Sequence, residues 1–520
     1  MCEGRVSHRP REGCRPLKRF RSLYALFAAA LLCTLPYAAG AASRGAVLVT
    51  LGPDVAAPEG GRLIVFASPH APAAGRDVDF DFLDPHAVYV TSVDIASARA
   101  GETLRLPFDR PGFPAALASA PAGTYYFSAY LDVNRHFAYT GRPEAGDLAG
   151  AVASGQLGAG TAPHLVLDHV IPGMVLKPGP GISIQRLHST MLSAFLDRET
   201  TVNAVVIEPS GVKPGMRVPA VYIVGGFGAT LSSLVNRTAP RLAALKRPLY
   251  FVLLDAEVPL GHSVFADSQN NGPWGSALVK EAIPALEAMY PGMLAEPRGR
   301  FLTGHSSGGW TTLWLQVTYP DFFGGTWSTA PDPVDFHNFT GPDLLAAPQQ
   351  NMYVDASGKP YNLVRYHGRK VMTLKEYVDL ENVEGAQGGQ FESFNAVFGP
   401  RGRDGNPVKL FNLATGAIDP TIVLSWEHYD IATILRTQWP TLGPKLAGKL
   451  HIVVGTEDTF HLNEGVELLA KELHDLGSDA QITFVPGRDH IDLYDDGLQG
   501  RIFDAIQAQA AATGVVPAAH

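Results

Sequence analysis

Seven apolar runs of strand length, separated by stretches of helical periodicity, constrain the fold of this chain more than any other feature. "TVNAVVIEP", "AVYIVGG", "LYFVLLDA", "RFLTGHS", "GGTWSTA", "KLHIVVGTED" and "ITFVPGRDH" follow one another after about Gly181. Several lack inside–outside alternation, as expected of strands covered by helices on both faces. Between the runs, Val466, Leu469, Ala470 and Leu473 fall on one helical face, with Gly477 placed to end the helix. Leu278, Ala282, Ala285 and Met289 form a second stripe, expected to kink at Pro284. This alternation predicts an α/β class, a mostly parallel doubly wound sheet, over residues 176–520. The stretch from about 336 to 423 is long, polar and glycine-rich, and reads as an insertion covering one end of that sheet.

Residues 43–175 have a different texture. "AVLVTLG", "RLIVFAS", "AVYVTSVDI", "ETLRLPF" and "TYYFSAYLDV" are short strands broken by Gly and Pro, and no stretch has the length and period of a stable helix. An all-β immunoglobulin-like sandwich is expected here. In "YLDVNRHFAYTG", Asp132 and Asn134 are spaced like calcium-loop ligands. The other ligands and the glycine of such a loop are missing, so a turn held by Asx hydrogen bonds is the favoured reading.

Residues 1–42 combine seven basic side chains from Arg5 to Arg21, an apolar run from Leu23 to Leu35, and the small-residue stretch "YAAGAAS". They read as a secretory signal peptide, too short to persist as a membrane span, with cleavage near Ala41 or Ala42. The mature protein is then expected to be secreted or periplasmic, without a transmembrane anchor. Cys2, Cys14 and Cys33 are the only cysteines and all precede that site. A disulfide scaffold, a cysteine nucleophile and a zinc–thiolate site are thereby excluded from the mature chain. With 520 residues, 46% hydrophobic, the chain can bury a core without disulfides. A net charge of −9 gives no reason to expect a nucleic-acid partner, and no cofactor or metal is indicated.

"RFLTGHSSGGWTTLW" places a Gly-x-Ser-x-Gly between an apolar strand and a helix whose Trp310, Leu313, Trp314 and Val317 recur at helical spacing. Serine at such a corner sits in strained backbone. Gly304 and Gly308 leave room where side chains would collide, so the Ser306 hydroxyl is pushed above the sheet edge. Ser307 is not at the central position. A serine hydroxyl needs a base near neutrality, normally histidine. In the α/β-hydrolase fold the chain order is nucleophile, acid, histidine, the last two after late strands. "LHIVVGTEDTF" offers Asp458 and "ITFVPGRDHIDLY" offers His490. Glu457 is a rival acid, Asp332 and Asp335 are weaker ones, and Asp489 is too near His490 in sequence to orient its ring. His305 and His474 read as structural, whereas His262 and His461 lie in loops at the same sheet edge.

An oxyanion needs two N–H donors. One is expected from Ser307. The other should come from the turn in "VYIVGGFGA", with Phe227 the first choice and Gly226 the second. "DSQNNGPWG" follows a strand end, which makes Asn270, Asn271 and Trp274, with His262, candidates for substrate binding. Trp426 and Tyr429 are expected to pack beneath the pocket.

With these pieces in place, residues from about Val202 to Ala508 resemble the esterase family that includes enterochelin esterases, S-formylglutathione hydrolases, feruloyl and acetyl-xylan esterases and mycolyltransferases. The matching stretches are "VYIVGGFG", "NNGPWGSALVKEAIPALEAMYP", "FLTGHSSGGWTTLWLQVTYPDFFGGTWSTAPDP", "VVGTED" and "GRDH". The resemblance implies Ser306 as nucleophile, Asp458 as acid and His490 as base, acting on a small-molecule or polymer-borne ester. It departs at Gly225, where many relatives carry histidine or aspartate. Acyl transfer with the same residues, peptide cleavage, and a glycan-binding protein with a lapsed hydrolase domain are the alternatives.

Overall fold

In a computed structural model, residues 45–512 are described, apart from 57, 159–162, 214 and 386. The signal-peptide reading therefore lies outside the described residues. The eight strands of the large sheet are β1 (Ile182–His188), β2 (Thr201–Ile207), β3 (Ala220–Val224), β4 (Tyr250–Leu254), β5 (Arg300–His305), β6 (Gly325–Thr329), β7 (Leu450–Gly455) and β8 (Gln481–Val485). They lie in the order β1-β2-β4-β3-β5-β6-β7-β8. Only β2 runs against its neighbours; all other pairings are parallel. All seven apolar runs are strands, and β1 is an eighth that the sequence reading passed over because "ISIQRLH" is polar and half-exposed at the sheet edge.

Both faces of the sheet are covered, which explains the unbroken apolar runs. Along β4, Phe251 and Leu253 pack with Phe503 and Ile506 on one side. Val252 and Leu254 pack with Leu278, Ile283 and Leu286 on the other. The stripe expected at Leu278, Ala282, Ala285 and Met289 is corrected here. A π turn at Leu278–Ala282 adds a residue before the α-helix Ile283–Met289, so Ile283 and Leu286 turn inward while Ala285 and Met289 face solvent.

The helix after β5 is α1 (Ser307–Thr318). Residues 336–423 are more structured than their polarity suggests. They contain a hairpin, Asn362–Tyr366 with Arg369–Thr373, followed by α2 (Leu374–Glu384) and α3 (Gln390–Phe398). Thr373 and Glu376 form a capping box that starts α2. Buried Phe391, Phe394 and Phe398 join Phe336, Phe339 and Trp426 in one aromatic layer.

The N-terminal strands form two sheets. One has the order Thr103–Pro107, Ala46–Leu51, His164–Leu167; the other is built around Gly61–Ser68 and Gly123–Asp132. Val47 and Val49 from the first pack with Leu63, Val65, Phe127 and Leu131 from the second in a shared core. A one-turn helix, Phe137–Thr140, interrupts the β texture. Asp132 accepts the N–H groups of His136 and Phe137 at its start, and Asn134 also accepts from His136, which is the Asx-turn arrangement. These sheets and the large sheet belong to one compact unit. Arg62 donates to the carbonyls of Asn382 and Val383, Ser92 to that of Val383, and Phe82 packs on Tyr377 at 6.0 Å. No helix among the described residues is long and apolar enough to cross a membrane.

Candidate active site

Ser306 occupies the corner between β5 and α1 with φ 60° and ψ −126°, a conformation that L residues rarely adopt. The corner is made possible by close packing on glycines. A Cβ on Gly304 would lie 2.3 Å from the Gly308 carbonyl oxygen, and one on Gly308 2.1 Å from that of Val224. The Ser306 N–H donates to Thr329 O at 3.1 Å, fixing the corner to the end of β6.

Asp458 follows β7 and is fully buried. Its Oδ2 accepts from His490 Nδ1 at 2.8 Å, and its Oδ1 accepts from the N–H groups of Phe460 and Leu462. Burial raises the Asp458 pKa, but the His490 charge and hydrogen bond outweigh it and the net shift is downward. His490 is buried after β8; burial lowers its pKa, and the field and hydrogen bond of Asp458, with help from Asp332 and Asp489, carry it above the ordinary value. Nδ1 faces Asp458, and Nε2 has no hydrogen-bond partner among the described residues. The His305 ring lies 4.3 Å from that of His490 and is held neutral, its pKa pushed down to about 3 by burial and the neighbouring imidazole.

Among the described residues, the Ser306 hydroxyl is hydrogen-bonded to Asp332 Oδ1 at 3.5 Å, not to His490. Ser306 and His490 nonetheless line one cavity of about 630 Å³. Asp332 follows β6, is fully buried, and is pushed up to about 6 by burial although Ser307 Oγ (2.5 Å) and Gln390 Nε2 (3.3 Å) donate to it.

Gly226 passes directly beside the serine: a Cβ there would sit 3.2 Å from Ser306 Cβ. Gly226 and Phe227 line the cavity together with Ser306, and Ser307 is the first residue of α1, whose N-terminal end is positive. The turn is anchored at both ends. His262 Nε2 donates to Gly225 O at 3.1 Å while its Nδ1 accepts from Val264, and Tyr139 Oη donates to Ala229 O at 2.9 Å.

The substrate-binding candidates from sequence do not reach the cavity. Asn270 is buried and donates to the carbonyls of Ala396 and Gly399, supporting α3 from behind. Asn271 and Trp274 are buried in the same ribbon, the indole donating to Asn271 O. His262 is buried behind the turn, burial lowering its pKa to about 4. Their place at a strand end is real, but backbone carbonyls take the donors of Asn270, Trp274 and His262, and Asn271 is buried away from the cavity. Glu457 points outward toward Arg365, and Asp489 accepts from the N–H groups of Ile491 and Asp492. His461 pairs with Glu464, and His474 is exposed.

Sequence reasoning missed Tyr139, Gln390 and Phe460, which surround Ser306 in the structure. For Tyr139 and Gln390 no local signal existed, because their positions depend on docking of segments distant in sequence. Among the described residues two clusters could offer metal ligands, His136 with Glu144 and Glu257, and Asp335 with His337 and Asp430. Neither lines the Ser306 cavity, and Asp430 is engaged in capping a helix by accepting from Ala432.

The strand order, the single reversed strand and the serine corner after β5 decide the fold. Residues 182–512 have an α/β-hydrolase fold. No family model matches the chain, and no curated protein does. Solved structures similar to it include the Staphylococcus aureus fluorophosphonate-binding serine hydrolase FphF, at 15% identity and TM-score 0.39 over 64% of this chain and 99% of that one. A ferulic acid esterase is similar at 12% identity and TM-score 0.39, over 63% and 98% of the two chains. An S-formylglutathione hydrolase from Agrobacterium tumefaciens is similar at 14% identity and TM-score 0.38, over 65% and 98%.

Proposed function

We propose that this protein is a serine hydrolase that cleaves carboxylic esters through Ser306, His490 and Asp458. The observation that carries this reading is the left-handed corner at Ser306, which shares a cavity with the free nitrogen of a buried, carboxylate-oriented imidazole.

After rotation of its hydroxyl away from Asp332, Ser306 gives its proton to His490 Nε2 as Oγ attacks the ester carbonyl. The N–H groups of Ser307 and Phe227 meet the oxyanion. The imidazolium, stabilised by Asp458, then protonates the departing alcohol and leaves an acyl-serine. A water that gives its proton to His490 attacks the acyl carbon, and collapse returns Ser306 and releases the acid. The small chamber beside Ser306, about 50 Å³ and walled by Phe339, Leu363, Phe391, Phe394 and Phe460, fits a short acyl group.

The N-terminal part is read as an immunoglobulin-like sandwich over 43–175, ahead of a hydrolase domain over 176–520 with an insertion at about 336–423. The leader over 1–42 makes the enzyme an exported one, secreted or periplasmic; N-terminal sequencing of mature protein tests that.

Purified protein should hydrolyse 4-nitrophenyl acetate and take up a fluorophosphonate on Ser306. Ser306→Ala should remove the adduct and lower kcat/KM by at least about 10³-fold. An unchanged rate in that variant rejects the assignment.

A further inference from the structure

Two cavities meet at Ser306. The small chamber is mostly apolar, although Asp332, Thr340 and Gln390 also line it, whereas the larger cavity is polar at its outer rim and receives side chains from the N-terminal sheets, the oxyanion turn and the insertion. An ester bound at Ser306 must divide between them, its acyl part in the tight chamber and its alcohol part in the roomier space.

The rim of the larger cavity carries two arginines. The segment Tyr139–Arg142 is held against the oxyanion turn, with the Tyr139 ring 4.9 Å from that of Phe227 and its hydroxyl on Ala229 O. This contact brings Arg142 to the wall that also holds Arg237, from the π turn Leu234–Thr238. Both are exposed, and among the described residues neither side chain has a hydrogen-bond or ion-pair partner. A guanidinium offers a fork of donors that matches a carboxylate or phosphate.

Carboxyl groups of Asp79, Glu381 and Glu384 line the same cavity. Glu381 accepts from the N–H groups of Gln390 and Phe391 at the start of α3. Burial pushes it up to about 8, and burial with the charges of Glu381 and Asp79 pushes Glu384 up to about 8. Near neutral pH both are mainly uncharged acids. Asp79 has Asp77 and Asp81 as well as Arg76 near it, so one carboxylate stands among the rim groups. The cationic charge at the rim is that of Arg142 and Arg237, two guanidinium groups against the one carboxylate of Asp79.

We propose that the substrate is an ester of a short carboxylic acid with an alcohol bearing an anionic group, carboxylate or phosphate, which Arg142 and Arg237 hold. This rests on the esterase reading of Ser306.

The test compares three acetyl esters of one phenol framework: 4-acetoxybenzoate, 4-acetoxyphenyl phosphate and the neutral methyl 4-acetoxybenzoate, each rate divided by that of hydroxide hydrolysis. At low salt the wild-type kcat/KM for at least one anionic ester should exceed that for the neutral ester about tenfold, and the excess should shrink as salt is added. The two anionic arms tell carboxylate from phosphate. In the double variant Arg142→Ala, Arg237→Ala the anionic-to-neutral ratio should fall to about one. Because the ratio is taken within one preparation, loss of folded protein cancels. A wild-type ratio of one or less with good turnover of the neutral ester overturns the proposal, as does a ratio undiminished in the double variant. Stronger preference for mono-4-nitrophenyl succinate over its neutral counterpart, 4-nitrophenyl pentanoate, also overturns it, by placing the anion on the acyl side. Absence of any ester turnover together with absence of a fluorophosphonate adduct rejects the esterase reading itself.

Discussion

The Tyr139 hydroxyl donates to the Ala229 carbonyl at 2.9 Å, so a residue of the N-terminal β part holds the turn that carries Phe227. Gly228 permits this approach: it has φ 77°, and a Cβ there would lie 3.0 Å from Tyr139 O. Tyr139→Phe keeps the ring against Phe227 and removes only the hydrogen bond. A buried carbonyl left without its donor costs about 1–3 kcal/mol. Loosening of the oxyanion donor should appear in kcat, lowered about 3- to 10-fold with KM little changed, because the donor acts mainly when charge develops. Loss confined to KM would assign Tyr139 to substrate contact instead.

The pH dependence follows from His490. Its pKa is raised in the folded protein, chiefly by Asp458 acting against burial. The neutral base therefore appears only as pH rises past a value above about 6.5, the ordinary one. The acid limb of kcat/KM should accordingly have its midpoint above 6.5. Asp458→Asn removes the field and the acceptor at Nδ1, so the midpoint should fall and kcat/KM drop by about 10³–10⁴-fold. The same shift links to stability. The His490 contribution is fully present below the unfolded pKa and is lost as pH rises through the higher folded value. A midpoint at or below 6.5 in wild-type enzyme would contradict the buried Asp458–His490 pair.

Much of this geometry was legible because it is local. "RFLTGHSSGGW" specifies its own corner, since Gly304 and Gly308 are the positions where any Cβ would strike backbone. Asp458 and His490 could be named because each ends a recognisable apolar strand, and the strands fix where their loops emerge. What stayed hidden is non-local. Asn270 and Trp274 have the polarity of contact residues, yet their hydrogen bonds are spent on Ala396, Gly399 and Asn271 carbonyls. Conversely, Phe391 and Phe394 lie in a stretch read as a polar cover, and only the docking of α3 turns them toward Ser306. The half-exposed strand β1 escaped because an edge strand has no unbroken apolar run to betray it.

Asp332 separates two roles that sequence could not. It stands 3.5 Å from the Ser306 hydroxyl but is not hydrogen-bonded to the His490 ring among the described residues. With its pKa raised to about 6, it is mainly ionised above neutrality and helps hold His490 protonated. Asp332→Asn should therefore move the acid limb of kcat/KM downward while lowering the plateau at pH 8 by less than about tenfold. A loss as deep as that of Asp458→Asn would make Asp332 the acid that serves His490.

The acyl chamber is the most direct handle on substrate size. Phe394 lines it, and its ring lies 5.4 Å from that of Phe339, 6.0 Å from Phe391 and 5.8 Å from Phe398, so this part of the wall is packed aromatic rings. Each further methylene of an acyl chain must either displace these rings or stay outside, a discrimination of about 1–3 kcal/mol. In wild-type enzyme kcat/KM for 4-nitrophenyl esters should fall steeply from acetate to hexanoate. Phe394→Ala opens the chamber, and the hexanoate-to-acetate ratio should rise at least about tenfold. The same change removes buried aromatic packing at a cost of about 3–5 kcal/mol, so the ratio rather than the absolute rate carries the information. A ratio that stays flat while the variant remains folded would mean that acyl chains leave Ser306 by the larger cavity, where Phe394 has no part of the wall.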